Sequence, residues 1–160
     1  ETAIGGSLAN NDPAACYPAA ALSADATIIT DTREISSDDF FQGMFETALE
    51  EGEIILSVRF PVPALSSYQK FVQPASRFAM VGVFLSNFGN RTRVAVTGAS
   101  EEGVYRWSEA EEALNDDFSE AALNDLSIDL EGMISDIHSS KEYRAHLIKV
   151  MTKRAVTDAS

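Results

Sequence analysis

Residues 68–100 constrain the fold most. Three runs rich in β-branched and apolar residues follow one another: "YQKFVQ" (68–73), "AMVGVFLSNF" (79–88) and "RVAVTGAS" (93–100). The last two are joined by "NFGNRT", a hairpin turn by composition. Short links between such runs favour antiparallel pairing, and "GVYRW" (103–107) adds a short fourth strand. From residue 108 the pattern becomes helical. Ser108 with Glu111 forms a capping box before "EAEEALN", Ser119 caps "EAALNDL", and Ser139 with Glu142 forms a second box before "YRAHLIKVMTKRAV". In that last segment Tyr143, Leu147, Val150, Met151 and Ala155 fall on one face.

The part before this sheet mixes element types. Residues 2–12 read as a turn and irregular loop. Asp12-Pro13 is a helix-start signal, with one turn at 13–15 and then a helix led by Pro18 to about Leu22. "ATIITD" (26–31) is a strand, "SSDDFFQGMFETAL" (36–49) a short amphipathic helix with Phe40, Phe41 and Phe45 in the core, and "EGEIILSVRFPVP" (51–63) a strand ended by Pro-x-Pro. "PVPALSS" is the linker. The fold class is therefore α+β in two units, 1–63 and 66–160, the second a small antiparallel sheet followed by helices.

Composition narrows the partners. A formal charge of -13 argues against nucleic acid and anionic membrane surfaces, because phosphates would be repelled. The one cysteine, Cys16, excludes an internal disulfide and any multi-cysteine metal site, and suits a reducing cytoplasm. His138 and His146 have no nearby third ligand, so no metal site is expected. No apolar run is long enough to span a bilayer, and no signal peptide is visible. Twelve acids and one base, Arg106, fall in 101–136, which reads as a solvated face. Glu1 is not Met and the chain starts inside a glycine turn, which suggests a fragment.

The chemistry is concentrated near the N-terminus, in "TAIGGSLANNDPAACYPAA" (2–20). Gly5 and Gly6 allow positive φ and close backbone approach, and successive amides in such a turn form an anion-binding nest. Ser7, Asn10 and Asn11 add short polar groups, and the helix start after Asp12 favours negative charge. Together they suit a pyrophosphate and a polyhydroxy chain. Cys16 reads either as a reactive thiol at a helix start or as a small buried residue. Arg77 reads either as a polar interface contact or as a plain surface residue, and Tyr105 and Trp107 either pack on their own sheet or meet a partner.

This segment resembles the second FAD-binding segment of the flavoprotein (medium) subunits of molybdenum hydroxylases, the aerobic carbon monoxide dehydrogenases and xanthine dehydrogenase relatives, whose pattern is close to T-I-G-G-S-L-A-x-x-D-P-A-A-D. "DDFFQGMFETALEEGEIILSVRFPVP" resembles the remainder of that FAD domain. "YQKFVQPASRFAMVGVF", "VAVTGAS" and "HSSKEYRAHLIKVMTKRAV" resemble the family's C-terminal domain. The resemblance implies the C-terminal half of a PCMH-type FAD-binding domain at 1–63, without the N-terminal subdomain that shares the pyrophosphate, and a CO dehydrogenase flavoprotein C-terminal-like domain at 66–160. It implies FAD as cofactor, bound weakly or not at all by this piece alone. Partners would be a molybdenum-cofactor large subunit and a 2Fe-2S small subunit, and the task would be electron transfer from iron–sulfur clusters through FAD to an external acceptor. No catalytic side chain is required. The main chain of Ile4, Gly5, Gly6 and Ser7 would lie along the FAD, Asn10 and Asn11 near the ribityl chain or ring, and the backbone of Ile54 and Ile55 near the isoalloxazine. Cys16 stands where the family has Asp, and Val72 where some relatives carry a base. A stand-alone flavoenzyme and a non-enzymatic acidic adaptor are the alternatives.

Overall fold

In a computed structural model describing residues 3–160, the central element is a four-stranded antiparallel sheet, built as the spacing of the apolar runs requires. Its strands are β6 (Leu65–Val72), β7 (Ala79–Asn87), β8 (Thr92–Thr97) and β9 (Tyr105–Arg106), in that order. β8 is buried along its whole length and β7 at all but two positions, so both faces are covered.

The period of two sorts the side chains. Val81, Val83, Leu85, Val94 and Val96 face one layer, made by α4 (Ser108–Asp116) and α5 (Lys141–Ala159). Phe84 and Ala95 face the other, where α2 (Cys16–Ser23) packs Ala19 and Leu22 against them. α2 comes from the N-terminal part of the chain, so the two parts share one interior.

Around α2 lies a second, smaller sheet, ordered β2-β1-β5, with β1 at Thr27–Thr30, β2 at Glu34–Ser36 and β5 at Ile55–Arg59. Its core holds Leu8, Ala21, Ala26, Ile28, Ile35 and Phe40. Between β2 and β5 come α3 (Ser37–Phe40) and a two-stranded ribbon of β3 (Phe41–Gly43) and β4 (Glu46–Thr47).

Several local expectations are corrected. Residues 4–10 are not loop: α1 spans Ile4–Asn10 and ends on Asn11, which takes the left-handed conformation (φ 44) that Asn tolerates and donates its amide to the Ser7 carbonyl. The diglycine therefore has helical, not positive, φ. Residues 36–49 do not form one amphipathic helix. A single turn capped by Ser36 gives way to the β3–β4 ribbon, whose tip carries Phe45 at positive φ and 58% exposed, outside the core. α2 begins at Cys16, with Pro18 inside the first turn, where its missing amide is not needed. β5 begins at Ile55, and β6 already starts at Leu65 inside the proposed linker.

The capping boxes also shift. Glu111 does not fold back on Ser108. Its buried carboxylate accepts from the Val94 amide (2.9 Å) and from Arg106, and so bolts α4 to β8. "EAALNDL" forms only a 3-10 turn at Ala121–Leu123. Ser140, one residue later than expected, caps α5 by accepting from the Tyr143 amide. Tyr143 is exposed, and its expected place on the inner face is taken by Arg144, which is 2% exposed. The Arg144 guanidinium donates to the Met80 and Gly98 carbonyls (2.6 and 2.7 Å) and to Asp136 (2.8 Å).

The two parts are joined by an ion network around one buried cation. Arg93, 3% exposed on β8, donates to the Leu22 carbonyl at 2.7 and 3.1 Å and to both oxygens of Asp38, with Asp25 at 3.1 Å. Burial works against the Asp38 charge, but hydrogen bonds and charge from Arg93, with Arg106 behind it, hold its carboxyl below the ordinary aspartate value. A pKa lowered on folding contributes stability that is present above the unfolded value, near 3.8, and is lost as pH falls through the folded value. The expected urea midpoint is level from neutral pH to about 5 and falls below about 4. Asp38→Asn should make that fall shallower, the rest coming from Glu34, Glu53, Asp136 and Glu142, whose carboxyls are also held below their ordinary values, and a pH series of urea unfolding curves measures the difference.

Candidate functional site

A cleft of about 660 Å³ opens where the start of α2 meets β6 and the β6–β7 loop. Its walls include Gly6, Ser7 and Asn10 of α1, Cys16 and Tyr17 at the head of α2, Lys70 of β6, and Arg77.

Register explains how these residues converge. Tyr68 pairs with Phe84 and Lys70 with Gly82, so both side chains stand on the sheet face that α2 covers. Tyr68 stacks on Phe84 (ring centroids 5.5 Å apart). Burial, and secondarily the neighbouring Cys16, push its hydroxyl well above the usual tyrosine value, so it stays neutral. Lys70 Nζ reaches over to Cys16 Sγ at 3.3 Å. The α2 start is fixed by β8: Thr97 Oγ1 lies 2.9 and 2.8 Å from the Pro13 and Ala15 carbonyls, and the Gly98 amide donates to the Pro13 carbonyl (2.7 Å).

The cleft carries local positive charge in an acidic chain. The net charge is -13, yet this cleft is lined by two cations, Lys70 and Arg77, against one carboxylate, Asp12, which accepts from the Ala14 amide, and neither cation has a carboxylate partner among the described residues. The first-turn amides of α1, at Ile4, Gly5 and Gly6, precede the first intrahelical bond, Ser7 to the Ala3 carbonyl (3.1 Å), and Ala3 offers no side-chain cap. A side chain at Gly6 would meet nothing within 4 Å, so the backbone there faces open space. Donors and unpaired cations around a cleft fit an anionic ligand with a polar chain.

The expected site residues divide into two groups. Gly6, Ser7 and Asn10 line the cleft. Asn11 does not: it is fully buried, and its side-chain amide donates to the Gly43 and Glu46 carbonyls (2.7 and 3.0 Å), holding the β3–β4 ribbon onto α1. Gly5 turns toward β5, where the Ile55 side chain lies 4.0 Å from the position a Cβ would take. Ile54 has both main-chain groups committed to Asp31, its carbonyl accepting at 3.1 Å and its amide donating to Oδ1 at 3.0 Å. Ile4 is exposed. Cys16 and Arg77, each left with two readings from sequence, both line the cleft, and Lys70 joins them. Among the described residues no cluster of His, Cys, Asp and Glu could hold a metal ion, and no helix is long and apolar enough to cross a membrane.

Family comparison bears on this geometry. Residues 66–159 match the model of the CO dehydrogenase flavoprotein C-terminal domain. The chain belongs to that family. Residues 1–63, which supply α1, α2 and most of the cleft, match the FAD binding domain in molybdopterin dehydrogenase, so FAD is the cofactor this flavoprotein-family chain is built around. The nicotine 6-hydroxylase medium subunit of Paenarthrobacter nicotinovorans is 33% identical over 98% of this chain and 60% of its own length. The carbon monoxide dehydrogenase medium chain of Hydrogenophaga pseudoflava is 26% identical over 98% and 60%. Among solved structures, reconstituted CO dehydrogenase from Oligotropha carboxidovorans superposes with a TM-score of 0.84 at 27% identity, covering 98% of this chain and 60% of that one. Quinoline 2-oxidoreductase from Pseudomonas putida 86 gives 0.76 at 28%, covering 98% and 59%. The chain thus spans about three-fifths of the length of the flavoprotein-family members it matches, and the α+β class expected from sequence holds.

Proposed function

We propose that this chain is the FAD-carrying portion of a medium subunit in a molybdenum hydroxylase complex, with the cleft at the head of α2 as its wall toward the cofactor. The match of residues 1–63 to an FAD binding domain carries the reading, and the cleft's two unpaired cations support it. FAD would be held by Gly6, Ser7 and Asn10 on one side and by Lys70 and Arg77 on the other. Bound there, FAD would supply the capacity to exchange both single electrons and electron pairs.

The chain's own residues bind and orient. Lys70 and Arg77 supply positive charge to a dinucleotide in a chain that otherwise repels one. Tyr68, stacked on Phe84, stands beside Lys70 on the same sheet face. No side chain acts as nucleophile or general base. A 2Fe-2S small subunit would deliver electrons and a molybdenum-cofactor large subunit would oxidise the substrate, in the cytoplasm. With three-fifths of the relatives' length present, the isolated chain binds FAD weakly and has no turnover of its own.

Cys16 gives a direct test, as it lines the cleft and is the chain's one cysteine. FAD at millimolar concentration is expected to slow alkylation of Cys16 by iodoacetamide, followed by mass spectrometry, while riboflavin, which lacks the phosphates, protects less. Equal alkylation rates with and without FAD would count against the assignment of this cleft.

A further inference from the structure

Cys16 is a nucleophile in the cleft wall with no part in holding FAD. It is the chain's one cysteine, so it has no disulfide partner within the chain. Its side chain is partly exposed at the head of α2 and lines a space of about 660 Å³. Lys70 Nζ, 3.3 Å away, donates toward Sγ. Arg77 lines the same space from the β6–β7 loop. That loop is closed on itself: the Arg77 amide donates to the Gln73 carbonyl (2.8 Å) and the Gln73 amide to the Phe78 carbonyl (2.9 Å). Neither cation has a carboxylate partner among the described residues, and Asp12, the carboxylate in the wall, accepts from the Ala14 amide at 2.8 Å. A thiol flanked by two unpaired cations is thus open to solvent in a chain whose net charge is -13.

We propose that Cys16 is a modification site for anionic disulfides, small molecules whose sulfur–sulfur bond is flanked by carboxylates. Cys16 gives its proton to solvent, and the thiolate attacks one sulfur of the incoming disulfide. A sulfur–sulfur bond forms between Cys16 and that half of the molecule. The original sulfur–sulfur bond breaks, and the other half leaves as a thiolate and takes up a proton. Cys16 is oxidised, the departing half is reduced, and no further reagent is needed. Lys70 and Arg77 select the reagent, because a cleft lined by one sign of charge concentrates ligands of the other. Elsewhere the acidic surface repels the same molecules. The space matches that of pockets which hold small organic ligands, so a peptide-sized adduct fits. Such an adduct would fill the room assigned to the cofactor. That consequence rests on the FAD assignment, whereas the exchange itself does not.

The test is charge selectivity, measured without FAD. Adduct formation at Cys16 is followed by mass spectrometry with glutathione disulfide, which is anionic, and with cystamine, a cationic disulfide. The ratio of the two rates is compared between the native chain and the urea-unfolded chain, which keeps the net charge and loses the cleft. The native ratio should be higher by roughly tenfold or more. It should fall in Arg77→Gln and also as salt is raised in the parent. Arg77 is exposed, and far-UV circular dichroism will show that the variant is folded. Selectivity that persists where FAD gives no protection from iodoacetamide would support the exchange and count against the cofactor assignment alone. The proposal is overturned by the absence of an adduct with glutathione disulfide, by equal ratios in the native and unfolded chains, or by a ratio that the folded variant or added salt leaves unaltered.

Discussion

Gly98→Ala is expected to lower the urea midpoint of unfolding sharply. Gly98 lies just past β8 at φ 82, a conformation an L side chain adopts at a cost of about 1–2 kcal/mol. Steric overlap costs more. A Cβ there would sit 2.5 Å from the Ala79 carbonyl oxygen and 2.8 Å from that of Met80, and both obstacles are backbone. Three elements meet at this residue: its amide holds Pro13 ahead of α2, and its carbonyl accepts from Arg144 of α5. Relief of the overlap would therefore move the cleft wall and the α5 anchor together. The combined loss is roughly 3–5 kcal/mol, a large part of the stability of an ordinary domain. Urea unfolding by circular dichroism measures it. A midpoint within error of the parent would show that the turn is not held as described.

Arg93→Met should cost nearly as much, for an electrostatic reason. Methionine keeps most of the apolar volume but leaves the Leu22 carbonyl only the long bond from the Asp25 amide (3.4 Å) and removes the cation that Asp38 and Asp25 share. Breaking a buried charge pair from one side typically costs about 3–5 kcal/mol, because the remaining charge stays desolvated. The loss here belongs toward the lower end, as Asp38 is 40% exposed and keeps Arg106 nearby. The double variant Arg93→Met/Asp38→Asn should recover part of the deficit. A double-mutant cycle by urea unfolding tests this, and strict additivity would contradict a direct coupling.

What can be read from the sequence follows from how local each signal is. β7 and β8 are legible because strands covered on both faces read as continuous apolar runs, and "NFGNRT" marks the turn between them. α1 is not, because two glycines and two asparagines are individually turn formers. The helix exists through tertiary packing of Leu8 and through the left-handed Asn11 that ends it. The ribbon at 41–47 looks helical in sequence because Phe40, Phe41, Met44 and Phe45 repeat at helical spacing, whereas Gly43 and the positive φ of Phe45 make a turn.

The candidate site is half legible. Gly6, Ser7 and Asn10 stand out by residue type, and Cys16 by being the chain's one thiol. Lys70 carries no such signal beyond its nearness to Val72, where a base is missing, and a register within β6 decides which way it points. Arg93 and Arg144 escape a reading by periodicity, although each is a buried bolt. A lone cation ahead of "VAV", or on the inner face of an apolar helix, is itself a signal that a carbonyl or carboxylate waits opposite.

The most direct test of the central claim is an amide NMR titration of the ¹⁵N-labelled chain with FAD. If the cleft holds the cofactor, shifts are confined to Gly6, Ser7, Asn10, Cys16, Tyr17, Lys70 and Arg77, with an affinity weaker than micromolar, and they are lost in Lys70→Ala/Arg77→Ala. Shifts clustered on another surface, or identical titrations for parent and double variant, would contradict it.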